Sequence, residues 1–166
     1  SVSSITLAGF FVMLVVAGSH YLVPGVGKLR LGPHWYSWFW NNRLHHLPMS
    51  AYMWGWCHFL PERRVIKWLR PLRNLDRPLQ LGVMVFEIGA AFALFDRYAA
   101  IGILGGLVLF HATVFILSGI LFWQNFTMLT TLIGVLFFLP ESVSQNLFGL
   151  SNGFFACGLM VVLPIL

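Results

Sequence analysis

Three ionisable side chains sit in otherwise apolar runs, and each could carry chemistry. Lys28 falls in Gly25-Val26-Gly27-Lys28-Leu29, directly after residues 5–23, which hold no Lys, Arg, Asp or Glu. An amine at the mouth of a membrane span has two fates. It is either an anchor whose ammonium reaches the headgroups, or a base that desolvation readies to take a proton. Glu87 and His111 lie near the middle of two later apolar runs. A charged residue at that depth costs about 2.5–3.5 kcal/mol on insertion scales, so such groups face the bundle interior and find partners. Counted from the polar pair Asp96-Arg97 at about 1.5 Å per residue, Glu87 lies about 13 Å and His111 about 21 Å along their helices. An acid and an imidazole so placed could serve a proton or a polar headgroup, or could simply bond neighbouring helices.

The elements that must position these groups are helices. The chain has 166 residues, 58% of them hydrophobic and only 9% charged, more apolar surface than a water-soluble domain of this size can cover. A span must satisfy its own backbone hydrogen bonds in lipid, and about 20 apolar residues suffice to cross. The reading is therefore all-α: a polytopic transmembrane helix bundle of about five spans, forming one domain. The spans are expected at about 5–23, 79–95, 98–122, 126–139 and 154–166. The second opens after Asp76-Arg77-Pro78. The first has no basic segment before it and so does not read as a signal peptide. The chain starts without Met and close to a span, as expected of a processed or partly observed chain.

Residues 24–78 form an aromatic-rich linker, read as interfacial. They hold six of the seven Trp and nine of the ten Lys and Arg, and the net charge is +5. Trp prefers the headgroup level. Arg63, Arg64, Lys67, Arg70 and Arg73 alternate with apolar residues, as in a basic helix lying on a membrane, and Pro71 should bend or end it. Anionic headgroups are the expected partner of residues 62–73, and nucleic acid is not. By the positive-inside rule the linker would be cytoplasmic in a bacterial inner membrane.

Other groups are weaker candidates. His20 could reach the face of Lys28. His45-His46 and Cys57-His58 do not give the spacing of a closed four-ligand site, so no metal is expected. Cys57 and Cys157 do not make a disulfide framework. A haem or chlorophyll could use a single buried imidazole, His111 or His20. Gly89, Ala90, Ala91, Gly102, Gly105 and Gly106 read as close-packing positions.

In order, Tyr21…Gly25-x-Gly27-Lys28-Leu29…Trp35, then Glu87 to Phe95 with Asp96-Arg97, then Phe110-His111…Ser118-Gly119-Ile120-Leu121-Phe122 resembles the transmembrane core of the vitamin K-dependent gamma-carboxylases and the related horizontally transferred transmembrane domain proteins. The resemblance covers about residues 21–138. It implies Lys28 as the base that deprotonates a quinol and His111 as a residue of the same pocket. Glu87, His20 and Trp35 are the ligand-binding candidates expected beside them. Gly27 stands where the family has a second lysine, and Val114 where it has a polar residue, so peptide carboxylation itself is not implied.

Two functions follow as expectations. One is a membrane protein binding a hydrophobic quinone- or lipid-type ligand, with proton-coupled redox chemistry at Lys28. The other is a non-catalytic accessory subunit of a larger respiratory or photosynthetic complex, packed against other membrane subunits, pigment or haem.

Overall fold

The computed structural model describes residues 4–56, 61–148, 152 and 155–159. These are helical or in turns and connections, with no strand among them. Helix α1 (Ser4–Arg30) leads through two short helices, α2 (Ser37–Asn41) and α3 (His46–Met53), to the long α4 (Glu62–Gly89). A 3-10 turn, Ala90–Leu94, precedes α5 (Arg97–Ser118), α6 (Trp123–Phe138) and α7 (Glu141–Leu147). Among the described residues, three helical stretches are long and apolar enough to cross a membrane: Leu7–Arg30, Glu62–Leu94 and Arg97–Ser118. Helix α6 is apolar but shorter. Of the expected fifth span, residues 155–159 are helical and the remainder lies outside the described residues.

Buried stripes repeat every three or four residues, the period of one helix face. On α1 the stripe is Phe10, Leu14, Ala17 and Tyr21; on α5 it is Ala100, Leu104, Leu107 and His111; on α6 it is Leu129, Leu132 and Leu136. They meet in one core with Ala90, Ala93 and Leu94 of the 3-10 turn. The outward faces are apolar as well, with Leu109 70% and Phe138 89% exposed. Water would penalise such faces, whereas acyl chains would not.

Local chemistry fixes the element ends. The Asp96 carboxylate accepts from the Ala99 N–H (2.9 Å) and so starts α5, satisfying a donor the helix leaves open. Gly119 ends α5 with φ 72°, the left-handed conformation a glycine adopts without steric cost. Arg97 donates to the Phe137 carbonyl (2.9 Å) and meets Glu141, tying the start of α5 to the end of α6.

Helix α4 departs from the expectation. It does not end at Pro71 or begin after Pro78 but runs 28 residues through both. The two prolines are exposed and seven residues apart, hence on one outer face, where a bend displaces no packed neighbour. Arg63, Arg64, Lys67, Arg70 and Arg73 are all exposed. The opposite face buries Val65, Asp76, Gln80, Met84 and Glu87. Helix α1 likewise continues past Val23, through Pro24, to Arg30. That extension carries Lys28 back over the bundle. At Gly25 the helices approach so closely that a Cβ would lie 2.9 Å from the Cβ of Glu87. Gly106 is required in the same way, because a Cβ there would overlap the ring of Phe86. Gly89, Gly102 and Gly105 have open space instead.

Candidate functional site

Lys28 and Glu87 form an ion pair, Nζ to Oε2, between the last turn of α1 and the last turn of α4. Their side chains are 17% and 10% exposed. Lys28 continues the inward stripe of α1, seven residues after Tyr21, and Glu87 continues the polar stripe of α4. The ring of Trp38, from α2, lies 5.0 Å from the ammonium, close enough for a cation–π contact. Of the two fates open to this lysine, the structure gives it a buried carboxylate partner rather than a free path to the headgroups.

The pair forms part of the wall of a cavity of about 380 Å³ between α4, α5 and the crossover after α1, at Trp38, Leu44 and Leu47. That volume lies within the usual range for small-molecule sites, about 300–1,000 Å³. Phe86, Leu109, Phe110 and Val114 make much of the apolar wall, and Leu44 and Leu47 of the crossover cover one side. An apolar chamber with one ion pair favours a ligand that is mostly hydrocarbon with a single polar or acidic group.

The crossover is held over this chamber by α4. Asp76, 3% exposed, accepts from the backbone N–H of His45 (2.8 Å) and pairs with its imidazole Nδ1. Arg77 donates to the carbonyls of Phe39 and Trp40 and lies 4.8 Å from the Trp40 ring. Gln80, fully buried, donates to the Asn42 carbonyl (2.7 Å). None of these three α4 residues was a candidate on sequence. For Asp76 and Gln80 the signal is the spacing 76, 80, 87, which puts them on one helix face with Glu87; Arg77 has none.

His111 belongs to a different constellation. Its Nε2 is 2.7 Å from the Tyr21 hydroxyl, and Asn125 of α6 donates to that hydroxyl (3.4 Å) and reaches His20 Nε2 (3.3 Å). Glu87 and His111 therefore do not meet. Helix α1 serves them separately, with Lys28 and Tyr21 two turns apart, about 10 Å along the axis. Lys28, Glu87 and Trp38 line one cavity, while His111 and His20 lie on the Tyr21–Asn125 cluster. Trp35 is 69% exposed and outside both. Asn125 carried no signal beyond being polar at the start of an apolar helix.

Among the described residues no group of three or more His, Cys, Asp or Glu is placed to hold a metal ion. Cys57 and His58 lie outside the described residues. His45 and His46 stack edge to face at 4.3 Å, and the His45 ring is engaged by Asp76. Comparison with protein-family models, with curated proteins and with solved structures finds no match.

Proposed function

We propose that this chain is an integral membrane bundle of about five spans, α1, α4 and α5 among them, that holds a hydrophobic ligand of quinone or lipid type beside Lys28 and Glu87. The observation that carries the reading is the ion pair on the wall of an otherwise apolar cavity. Two opposite charges set in apolar walls are costly to desolvate and weak as a source of stability, which makes a role toward a ligand the better account. The resemblance to the carboxylase-type transmembrane core adds to it, since that core places a lysine base at the position of Lys28.

The pair can perform one balanced proton step. A ligand hydroxyl gives its proton to the Glu87 carboxylate, which becomes neutral, and the Lys28 ammonium then faces the ligand oxyanion. Glu87 is the acceptor while Lys28 stays charged. This differs from a lone lysine base in needing both residues. Trp38 holds the ammonium from the crossover side. The exposed cations of α4 suit an anionic headgroup layer, and their concentration between residues 28 and 77 favours a cytoplasmic crossover in a bacterial inner membrane.

The test is purification in mild detergent followed by mass spectrometry and absorption spectroscopy of what copurifies. The expected result is a quinone- or lipid-type molecule near one per chain, lost in Lys28→Met and in Gly82→Leu. Gly82 lines the cavity and has nothing within 4 Å of a Cβ, so a leucine there fills the chamber without touching the ion pair. Partner subunits in fixed ratio, or a haem or chlorophyll band, without any such molecule would replace this reading with the accessory-subunit one.

A further inference from the structure

The cavity at the Lys28–Glu87 pair is long for its volume. Gly106, Leu109, Phe110, Thr113, Val114 and Leu117 line it from α5, one helix face extending over about 16 Å. On α4 the lining runs from Glu87 back to Leu72, about 22 Å along that axis. A volume of about 380 Å³, near the lower end of the small-molecule range, is spread over that length. The space is therefore a slot. Gly106 is the first α5 residue along it, and the Phe86 ring shuts that end by filling the position a Cβ would take. The long edge opens outward at Leu109, 70% exposed, and at Thr113. In a membrane that edge meets acyl chains, so an occupant arrives from hydrocarbon and not from water.

The two ends differ in chemistry. Lys28 and Glu87 stand at the closed end, with the Trp38 ring beside the ammonium. His45 is held at Asp76, about 16 Å along α4 from Glu87. Leu44 and Leu47, on either side of His45, therefore belong to the far end with Leu72 and Leu117. Both charged side chains line the slot and keep 17% and 10% of their surface exposed, so neither is sealed from an occupant. Glu87 Oε2 takes the ammonium. An ammonium has three donors and a carboxylate a second oxygen, so the pair still offers a donor and an acceptor side by side. A hydroxyl matches both. A charged head does not, because the pair sums to zero and an added ion would be buried without a partner of its own. The Thr113 hydroxyl is spent on the Leu109 carbonyl (2.8 Å), so the open edge adds no competing donor.

We propose that the slot takes a single-chain lipid with a neutral hydroxyl head, the hydroxyl at Lys28 and Glu87 and the chain lying along α5 toward Leu117. An extended chain advances about 1.2 Å per bond, so about 13 carbons fill the slot. Resting on the reading of this cavity as a ligand site, the assignment narrows the ligand to one class and fixes which way round it lies.

The test uses the full chain in phosphatidylcholine nanodiscs with two photoreactive tetradecanols. One carries its diazirine near the hydroxyl, the other near the chain end. Irradiation attaches each to whatever lies beside the diazirine, and peptide mass spectrometry locates the label. The first is expected at 82–87 and 106–110, the second at 113–117. Gly82→Leu, which fills the slot, should lower both labels at least tenfold. The double variant Lys28→Met with Glu87→Met keeps the volume and removes both charges together. It should lower both labels about tenfold, as for one hydrogen bond lost to a charged group, and blur the difference between the two probes. The same chain with a sulfate or a trimethylammonium head should leave the slot unlabelled. Both alcohols labelling the same slot residues, or a charged head labelling as well as the alcohol, would overturn the assignment and leave a ligand site. Neither alcohol in the slot, with a quinone copurifying and lost in Gly82→Leu, would overturn it in favour of a quinol. No label in the slot and no copurifying molecule would overturn the ligand site itself.

Discussion

Removing one partner of the Lys28–Glu87 pair should be far worse than removing both. Lys28→Met leaves the Glu87 carboxylate, 10% exposed, without its ammonium partner. Breaking a buried pair in this way costs about 3–5 kcal/mol, and the pair's place on a cavity wall puts the expected loss near the lower end, about 3 kcal/mol. Loss of the Trp38 cation–π contact at 5.0 Å contributes about 0.5–1 kcal/mol of that loss. Glu87→Gln should cost less, about 1–2 kcal/mol, because the amide oxygen still accepts from Lys28 and the ammonium keeps Trp38. The double variant Lys28→Met with Glu87→Met replaces the pair with apolar groups of similar volume, and should lie within about 1 kcal/mol of the parent. The assay is reversible denaturant unfolding in detergent micelles, with Glu87→Met measured as the second single variant that closes the cycle. The reasoning fails if Lys28→Met unfolds like the parent, for then the lysine is a headgroup anchor. It fails equally if the two single losses simply add in the double variant.

Three further outcomes follow from the packing. Gly106→Ala should destabilise by about 1–3 kcal/mol through overlap with the Phe86 ring, and Phe86→Leu should relieve most of it; thermal unfolding of the single and double variants checks this. Asp96→Ala removes the N-cap of α5 and should cost about 1 kcal/mol, measured as a lower Tm with unchanged helix content. Arg77→Met frees the crossover carbonyls of Phe39 and Trp40. A local loss of about 2 kcal/mol would raise trypsin cleavage after Arg43 about 30-fold, and an unchanged cleavage rate would show that α4 does not hold the crossover.

Composition and apolar runs of about 20 residues were enough to specify helices of membrane length, because a single span of that length satisfies its own backbone in lipid only as a helix. They also singled out Lys28, Glu87 and His111, since an ionisable group in an apolar run stands out in any register. Their partners were harder to find. Lys28 pairs with Glu87 across 59 residues, and only because α1 continues through Pro24 where a span edge at Val23 was expected. A proline on an outer face bends a helix without ending it, and sequence alone does not tell which face that is until the buried stripe is known. The stripe was in fact readable: 10, 14, 17, 21 and 28 recur at helical spacing and place Tyr21 and Lys28 on one side. Asn125 was beyond reach, because its role depends on how α6 docks and not on any local pattern.

The polar stripe of α4 explains why the crossover and the cavity belong to one device. Asp76, Gln80 and Glu87 are buried on the same face, and each is satisfied by a different segment: His45, the Asn42 carbonyl and Lys28. None of these bonds is local, and none could be exchanged for water in a membrane without cost. The chain is thus anchored to α4 twice, at Lys28 just before the connection by Glu87 and at His45 near its middle by Asp76. Its hydrophobic residues Leu44 and Leu47, on either side of that second anchor, line the cavity. On the proposed ligand-binding reading, a molecule entering from the crossover side must loosen contacts made by Asp76 and Gln80. One entering between α4 and α5 need not. Arg77→Met separates the two routes: faster ligand exchange at unchanged affinity would mark the crossover as the gate, whereas unchanged exchange would place the gate at the lipid-facing gap between the two helices.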